Sequence, residues 1–413
     1  MSTRSHGWML VLALAGAASG QGARDWILSE FTTTGDFGGL AYVVPSTGMT
    51  SPIAVGRPAG SFNAVTMHPD NRSFLVAYVN TGSVGQLAHV TTQGVVTSMA
   101  AIPNSLNALA AGDGGFNGSC LVTTSAGLVC SVNVTTGATT TLRSVPSLVN
   151  GLTFDQDSGD VILAIFGNLP TGGSLLRMNR AGTLTTFATG LGRLTGVDYD
   201  PTSGSCVVTR FDAPGVLRVQ GNGIVATVSS FSTVPNAVKV VAETGEMLVG
   251  GGFAAPGPNE IGLLSPSGAV IRSHTVPKSC SGVTTYGALD LTGIGRPLGG
   301  NPYVLRLSYP GAAGATYVMA LSTGMRPGIR LPNGEIVNLD PTSPLFALTL
   351  GGRPGLAEGF VGVLDGNGEA QATIHLPGDM VLAGQRFFAG SVRVHKSQVQ
   401  AGGVHGFSIQ LGR

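Results

Sequence analysis

Short runs of alternating apolar and polar residues fill most of the chain, and clusters of Gly, Asp, Asn and Pro separate them. Phe74–Val79, Val161–Phe166 and Cys206–Arg210 are typical runs. Alternation with a period of two is the pattern of β-strands, and turn residues at such short intervals fit antiparallel hairpins. Long segments rich in Ala, Glu, Lys and Leu, which would favour helices, are absent from the sequence. The pattern therefore predicts an all-β protein.

A three-residue signature recurs within this pattern: a small polar residue, then Ala or Gly, then an aliphatic residue. It occurs at Asn63-Ala64-Val65, Asn107-Ala108-Leu109, Asn150-Gly151-Leu152, Thr195-Gly196-Val197, Asn236-Ala237-Val238 and Ser281-Gly282-Val283. Successive signatures are 44, 43, 45, 41 and 45 positions apart. This spacing is that of one four-stranded propeller blade. Each signature is therefore expected to begin the first strand of a blade.

The two ends of the repeat array complement each other. Three strands without a signature precede the array, at Trp26–Phe31, Gly39–Val44 and Met49–Val55, and the last signature begins a lone first strand, Ser281–Leu289. Residues 25–55 and 281–289 together would form a sixth blade and leave no open sheet edge where the ring closes. We therefore predict a six-bladed β-propeller over residues 24–292.

The period ends at a Gly- and Pro-rich segment, residues 293–300, which is expected to be a linker. Residues 301–413 again show short alternating strands with turn signals between them. The predicted strands are Tyr303–Tyr309, Thr316–Leu321, Ile336–Leu339, Leu345–Leu350, Phe360–Leu364, Ala370–Leu376, Arg386–Val394 and Val404–Leu411. Their number and spacing predict a C-terminal antiparallel β-sandwich.

The blade pattern resembles that of NHL-repeat and streptogramin-lyase-like propellers, and more loosely that of the senescence-marker/gluconolactonase propellers. The resemblance covers roughly residues 25 to 290 and rests on the arrangement of strands and turns. The block from Leu345 to Val394 resembles C-terminal sandwich domains of exported proteins from planctomycete-type bacteria. That second resemblance implies an accessory or surface-associated module and no chemistry.

The charge of the chain and its N-terminal sequence indicate which partners are not expected and where the protein is located. Charged residues make up 10% of the chain and the net charge is +1, without a basic tract, so nucleic acid and anionic membranes are not expected partners. Residues 1–23 resemble a signal peptide, with Arg4 before the apolar run Trp8–Ala18. Since no later segment is long and apolar enough to cross a membrane, we expect a protein that is secreted, periplasmic or displayed at the cell surface.

The four cysteines leave two interpretations open. Cys120 and Cys130 flank a predicted hairpin centred on Ser125, so they would face each other across two strands. Export permits a disulfide there, whereas two reduced, buried thiols are an equally good interpretation. Cys206 and Cys280 have no evident partner, and no CxxC motif suggests a zinc site.

The first residue of each signature is a candidate for lining the central channel. These residues are Asn63, Asn107, Asn150, Thr195, Asn236 and Ser281. Their polar groups could hold a ligand or a metal, as the lactonase-like resemblance implies, or could serve the repeat through side-chain-to-backbone hydrogen bonds. Because a residue that recurs in every repeat usually serves the repeat, the structural interpretation is favoured.

Other candidate chemistry is sparse. Glu30, Asn150 and Asp198 could form a divalent-metal set of the lactonase type, and Asp155, Asp157 and Asp160 resemble the start of a calcium loop but fit a turn better. None of the propeller histidines falls on a signature, so the histidine base that the lyase resemblance implies has no matching position. No catalytic residue, metal ligand or cofactor is predicted.

The sequence therefore favours a monomeric, exported, non-catalytic propeller that binds a protein, glycan or small ligand or acts as a scaffold. The alternative is a metal-dependent lactonase- or lyase-like enzyme with its site, and a divalent metal, at the mouth of the channel. A structural component of the cell surface, displayed through the sandwich, is a third hypothesis.

Overall fold

A computed structural model describes most of the chain after the predicted signal peptide. The described residues are 25–31, 39–45, 47–55, 62–68, 73–79, 84–111, 119–167, 172–213, 215–229, 233–242, 244–252, 259–286, 290–294, 297–309, 312–333, 335–350, 352–376, 385–395 and 397–409. The predicted signal peptide, residues 1–23, lies outside them.

The first two thirds of the chain form six four-stranded antiparallel sheets, which are the blades. Blade 1 contains β1 (Asp25–Phe31), β2 (Gly39–Val43) and β3 (Thr50–Val55), joined by β24 (Ser279–Tyr286). Blade 2 contains β4 (Phe62–Met67), β5 (Ser73–Val79), β6 (Gly85–Thr91) and β7 (Val96–Ile102). Blade 3 contains β8 (Leu106–Ala111), β9 (Ser119–Thr124), β10 (Leu128–Asn133) and β11 (Thr139–Ser144).

The remaining blades repeat this order. Blade 4 contains β12 (Val149–Phe154), β13 (Val161–Ile165), β14 (Ser174–Met178) and β15 (Leu184–Thr189). Blade 5 contains β16 (Leu194–Asp200), β17 (Ser205–Arg210), β18 (Gly215–Gln220) and β19 (Val225–Ser229). Blade 6 contains β20 (Pro235–Val240), β21 (Met247–Gly251), β22 (Asn259–Leu264) and β23 (Val270–Val276).

Blade 1 closes the ring with strands from both ends of the repeat array. β24 pairs antiparallel with β1, with Val283 opposite Leu28 and Thr285 opposite Trp26. The first strands β4, β8, β12, β16, β20 and β24 each contact the next one around the axis, and β24 contacts β4. The predicted all-β propeller fold is confirmed, and blade 1 consists of β24 together with β1, β2 and β3.

The apolar core of the propeller lies between blades. Six clusters of buried residues each join two neighbouring blades. In one of them, Ile162 of blade 4 packs with Val197 and Tyr199 of blade 5. A fully buried aliphatic side chain contributes about 1.5–3 kcal/mol relative to exposure, so each blade depends on both neighbours for its stability.

The C-terminal part forms two further four-stranded sheets. Its elements are β25 (Asp290–Ile294), β26 (Pro302–Ser308), β27 (Thr316–Ser322), β28 (Ile329–Arg330), β29 (Ile336–Val337), α1 (Pro344–Thr349), β30 (Ala357–Glu358), β31 (Val361–Val363), β32 (Glu369–His375), β33 (Arg386–His395) and β34 (Gln398–Ser408). The sheet orders are β25-β26-β32-β30 and β31-β27-β33-β34, and one apolar cluster joins the two sheets as in a sandwich. β25 already belongs to this unit, so the expected linker at 293–300 overlaps a strand.

The strand predicted at Leu345–Leu350 is wrong, because the segment forms helix α1. Pro344 is the first helical residue, where its fixed φ angle suits a helix start and its missing N–H is not needed. Thr349 fastens the helix to the sheet: its hydroxyl donates to the Leu345 carbonyl at 2.8 Å and accepts from the Leu321 N–H at 2.8 Å.

The sandwich contacts one face of the propeller, where the turns between first and second strands lie. The Arg326 guanidinium pairs with the Asp157 carboxylate in the β12–β13 turn, and Asn338 Nδ2 donates to the Ala242 carbonyl after β20 at 2.7 Å. We call this side the sandwich face. Because the strands alternate in direction, the connections between second and third strands and between blades lie on the other side, the opposite face.

Candidate functional site

All six signature residues lie at a β-bulge on the first strand of their blade. In blade 2, Phe62 pairs with Tyr78 and Ala64 with Ala77, so Asn63 has no partner on β5. The same one-residue shift leaves out Asn107, Asn150, Thr195, Asn236 and Ser281 in the other blades. A bulge turns its extra residue out of the regular pleat, which here directs the side chain sideways to the next blade.

Most of these side chains donate a hydrogen bond to the backbone of that next blade. The bonds run from Asn63 Nδ2 to the Leu106 carbonyl at 2.8 Å, from Asn107 Nδ2 to Val149 at 3.5 Å, from Thr195 Oγ1 to Pro235 at 2.7 Å, from Asn236 Nδ2 to Cys280 at 3.4 Å, and from Ser281 Oγ to Phe62. Each acceptor immediately precedes the next signature. The bond from Ser281 to Phe62 joins the two ends of the repeat array.

The second signature residue is small because neighbouring first strands approach closely. A Cβ on Gly151 would lie 2.8 Å from the Val197 nitrogen, and one on Gly282 would lie 2.9 Å from the Val65 nitrogen. The third residue, such as Val197, enters the apolar cluster between blades. Five of the six polar side chains expected to line the channel thus donate to the backbone of the next blade, so these signature residues connect neighbouring blades.

The acids considered as metal ligands are paired with lysines. Asp198 accepts hydrogen bonds from Thr153 Oγ1 at 2.7 Å and from the Val240 N–H at 2.8 Å, and Lys239 Nζ lies 3.0 Å from it. Glu30 lies 3.4 Å from Lys278. Within the described residues, no group of three or more His, Cys, Asp or Glu side chains is placed to hold a metal ion.

The acidic segment around Asp155 forms a turn. Asp155 Oδ1 accepts from the N–H groups of Asp157 at 2.9 Å and Ser158 at 3.2 Å, while its other oxygen lies 3.0 Å from Arg177. These are the bonds of an Asx turn. Both carboxylate oxygens of Asp155, which would have to coordinate a calcium ion, are therefore already engaged by backbone N–H groups and by Arg177.

A tyrosine that the sequence did not single out connects this turn to the sandwich. Tyr199 donates its hydroxyl proton to Asp157 Oδ2 at 2.6 Å, and the same carboxylate pairs with Arg326. Burial raises the pKa of Tyr199 well above its usual range, so the hydroxyl remains a donor. No local pattern marks Tyr199, because its partners come from other repeats.

The structure does not contain the disulfide considered between Cys120 and Cys130, since both are buried free thiols. The predicted hairpin forms, but its register places Cys120 opposite Val132 and Cys130 opposite Val122. The two cysteines are therefore displaced from each other by two residues along the ladder. Burial raises the pKa of Cys120 to about 12, so its thiol stays protonated at neutral pH.

A cluster of aromatic and charged side chains lies on the opposite face, between blades 4 and 5. The Arg193 guanidinium lies over the rings of Phe166 and Phe211, 5.5 and 5.8 Å from their centroids, and the two rings are 6.3 Å apart. The three side chains are half-buried, and Asp212 beside them is exposed and accepts from the Arg193 N–H at 3.2 Å. We call Phe166, Arg193, Phe211 and Asp212 the opposite-face cluster. A sequence signal for it exists, because an aromatic residue directly follows the second strand in both blades.

In sequence, the chain matches no protein-family model and no curated protein. In structure, it is similar to a chain of a nidogen/laminin complex, at 10% identity and a TM-score of 0.51, over 64% of this chain and 98% of that one. It is also similar to a calcium-binding protein, regucalcin, from Agrobacterium tumefaciens strain C58, at 15% identity and a TM-score of 0.45, over 67% and 88% of the two chains. TolB from Acinetobacter baumannii is similar at 11% identity and a TM-score of 0.47, over 62% and 64%.

The similarity to the nidogen/laminin chain agrees with the β-propeller fold of this chain and extends to fold alone. The narrower resemblances, to NHL-repeat and streptogramin-lyase-like propellers and to planctomycete-type sandwich domains, stay predictions. In the part of the chain that the structure describes, no helix combines the length and apolar character needed to cross a membrane.

Proposed function

We propose that this chain is an exported, non-catalytic β-propeller that recruits a partner protein through its opposite face. The observation that carries the proposal is the position of the sandwich, which occupies the sandwich face at blades 4 and 6 through Arg326 and Asn338. A partner would then reach the propeller from the other side. Export is supported by the pattern of residues 1–23.

The opposite-face cluster supports a protein partner. Aromatic residues and arginine are enriched among the residues that contribute most to binding in protein interfaces. Phe166 and Phe211 already hold the Arg193 guanidinium in place, so this part of the surface is ordered before binding. Asp212 adds one exposed charge at its rim.

A photo-crosslinking experiment on the full mature chain tests this proposal. Phe211 is replaced by benzoylphenylalanine, which preserves an aromatic ring, and the protein is illuminated with envelope and secreted fractions of its source organism. The matched control carries the same group at Ile224, which is 57% exposed in the β18–β19 turn on the sandwich face. We expect one discrete protein adduct from position 211 and none from position 224.

Three outcomes would overturn the proposal. They are equal labelling at both positions, a glycan or small-molecule adduct at position 211 without a protein, and turnover of lactones or esters by purified protein that carries a divalent metal. The last result would establish the enzymatic alternative.

A further inference from the structure

The C-terminal sandwich contains an apolar pocket that lies apart from the propeller faces. Its volume is about 160 Å³. Strands β27 and β33 form its floor, the β28–β29 hairpin covers it, and α1 closes one side. The pocket therefore lies on the outer side of one sheet, away from the main core of the sandwich.

The walls of the pocket are fixed by burial. Val337 and Leu339 from the hairpin are 3% and 1% exposed and belong to a second small apolar cluster with Phe388 and Ala401. Ala320 on the floor is 3% exposed and belongs to the same cluster. A cavity with such walls keeps its shape when it is empty, so a ligand would not have to pay for ordering it.

The lining residues are apolar except Ser391, whose hydroxyl points away from the pocket into the main core. Ser391 is 1% exposed and shares a hydrogen bond with the Tyr309 hydroxyl. A polar group on a ligand would therefore lose its water without gaining a partner. The chemistry of the lining selects an apolar ligand.

The pocket opens to solvent at the end of α1. Leu350 lines it and is 53% exposed, while Leu348, two residues earlier, is 45% exposed but does not line the pocket. An enclosed apolar cavity of about 150 Å³ in another protein stays dry and takes benzene or xenon. The volume here suits a ligand of the same size.

We propose that this pocket is a binding site for a compact apolar ligand, with the size of a single aromatic ring or a short branched alkyl group. The proposal is independent of the partner proposed for the opposite face. It assigns a ligand to the sandwich, for which the sequence indicated no chemistry.

Toluene is the probe, and the δ1-methyl groups of the isoleucines are the reporters. Full-length mature protein with ¹³C-labelled isoleucine δ1-methyl groups is titrated with toluene and followed by NMR. We expect a saturable shift of the Ile329 signal, assigned with Ile329→Leu, and no shift of Ile162, which is fully buried in the propeller. Benzoate, which has the same ring and a charge, should leave both signals unchanged.

Two matched variants test the location of the site. Leu350→Asp places a charge at the mouth and should weaken toluene binding at least tenfold, whereas Leu348→Asp, a similarly exposed position in the last turn of α1, should bind as the wild type does. Both replaced side chains are about half exposed, so both variants should fold. Absence of a saturable Ile329 shift in the wild type would overturn the proposal, and so would equal binding by Leu350→Asp.

Discussion

At the scale of single residues, the first signature position connects each blade to the next. In a regular strand its side chain would point into one of the apolar clusters between blades, where an amide or hydroxyl would be costly to bury. The bulge turns it towards a backbone carbonyl instead. The position therefore needs a short side chain with a hydrogen-bond donor, and Asn, Thr and Ser all satisfy that requirement.

Thr195→Val tests this role with almost no change in shape. Thr195 is 7% exposed, and its hydroxyl donates to the Pro235 carbonyl at 2.7 Å. Valine removes this hydrogen bond and the one between the Thr195 and Thr209 hydroxyls at 2.9 Å, so we expect a loss of about 1–2 kcal/mol in the free energy of unfolding. Urea unfolding is followed through Trp26, the only tryptophan of a chain that starts at residue 24, which is 3% exposed between blades 6 and 1.

Thr227→Val is the matched control, because Thr227 is exposed on the outer strand β19. It should change the unfolding free energy by less than about 0.5 kcal/mol. If the two variants were equally stable, the hydrogen bond from Thr195 would not contribute to the stability of the propeller. That result would favour a ligand-binding role for the signature residues.

At the scale of elements, the register of a hairpin decides what its cysteines can do. Cys120 and Cys130 are each opposite a valine, and both side chains enter the cluster between blades 2 and 3. Cys206 and Cys280 lie in two other such clusters. The four thiols therefore behave as small apolar side chains in the core.

Alkylation and intact mass test the thiol state. We expect slow labelling of the native protein by iodoacetamide at pH 8, and four adducts after unfolding without a reductant, because all four cysteines are free. Two adducts, with a mass lower by two hydrogen atoms before labelling, would instead show a disulfide between Cys120 and Cys130.

The same thiols give stability a pH dependence of known sign. Burial raises the pKa of Cys120, Cys206 and Cys280 from 9.0 to about 12, so the folded protein keeps protons that the unfolded chain releases. The free energy of unfolding should consequently fall as the pH rises from about 9 to about 12, with no contribution from these groups below that window. Replacing Cys280 by Ala would remove its share of the slope.

Strands and blades could be predicted from the sequence because the information is local and repeated. Each signature and turn recurs about every 44 residues, so an error in one blade is corrected by the other five. The segment Leu345–Leu350 has no such repeat, and its short apolar run suits a strand or a helix; Pro344 was the signal for a helix start. The bulges depend on the register between strands, and so do the carbonyl groups that accept hydrogen bonds from the signature side chains. Neither could be predicted from the sequence of a single repeat.

At the scale of the whole molecule, the docking of the sandwich could not be predicted from local patterns. Its contacts pair residues far apart in sequence: Arg326 with Asp157, and Asn338 with Ala242. Gly204 is part of the same fit, since it lies in the β16–β17 turn and a Cβ there would collide with the Arg326 guanidinium. Arg326 therefore lies against the turns of two adjacent blades, and Asn338 reaches a third.

Arg326→Glu tests whether this contact fixes the two units. The new carboxylate would face Asp157, whose charge is only partly exposed, and like charges at that distance repel. We expect the sandwich to separate from the propeller, so the radius of gyration from small-angle X-ray scattering should rise. Unfolding followed through Trp26 should keep its midpoint, because the clusters between blades are unchanged.

Arg272→Glu makes the same charge change on the exposed outer strand β23 and should leave the scattering profile as in the wild type. A scattering profile for Arg326→Glu that matches the wild type would mean that Asn338 and the remaining contacts hold the sandwich without this ion pair. Arg326 would then not be the residue that keeps the sandwich on the sandwich face.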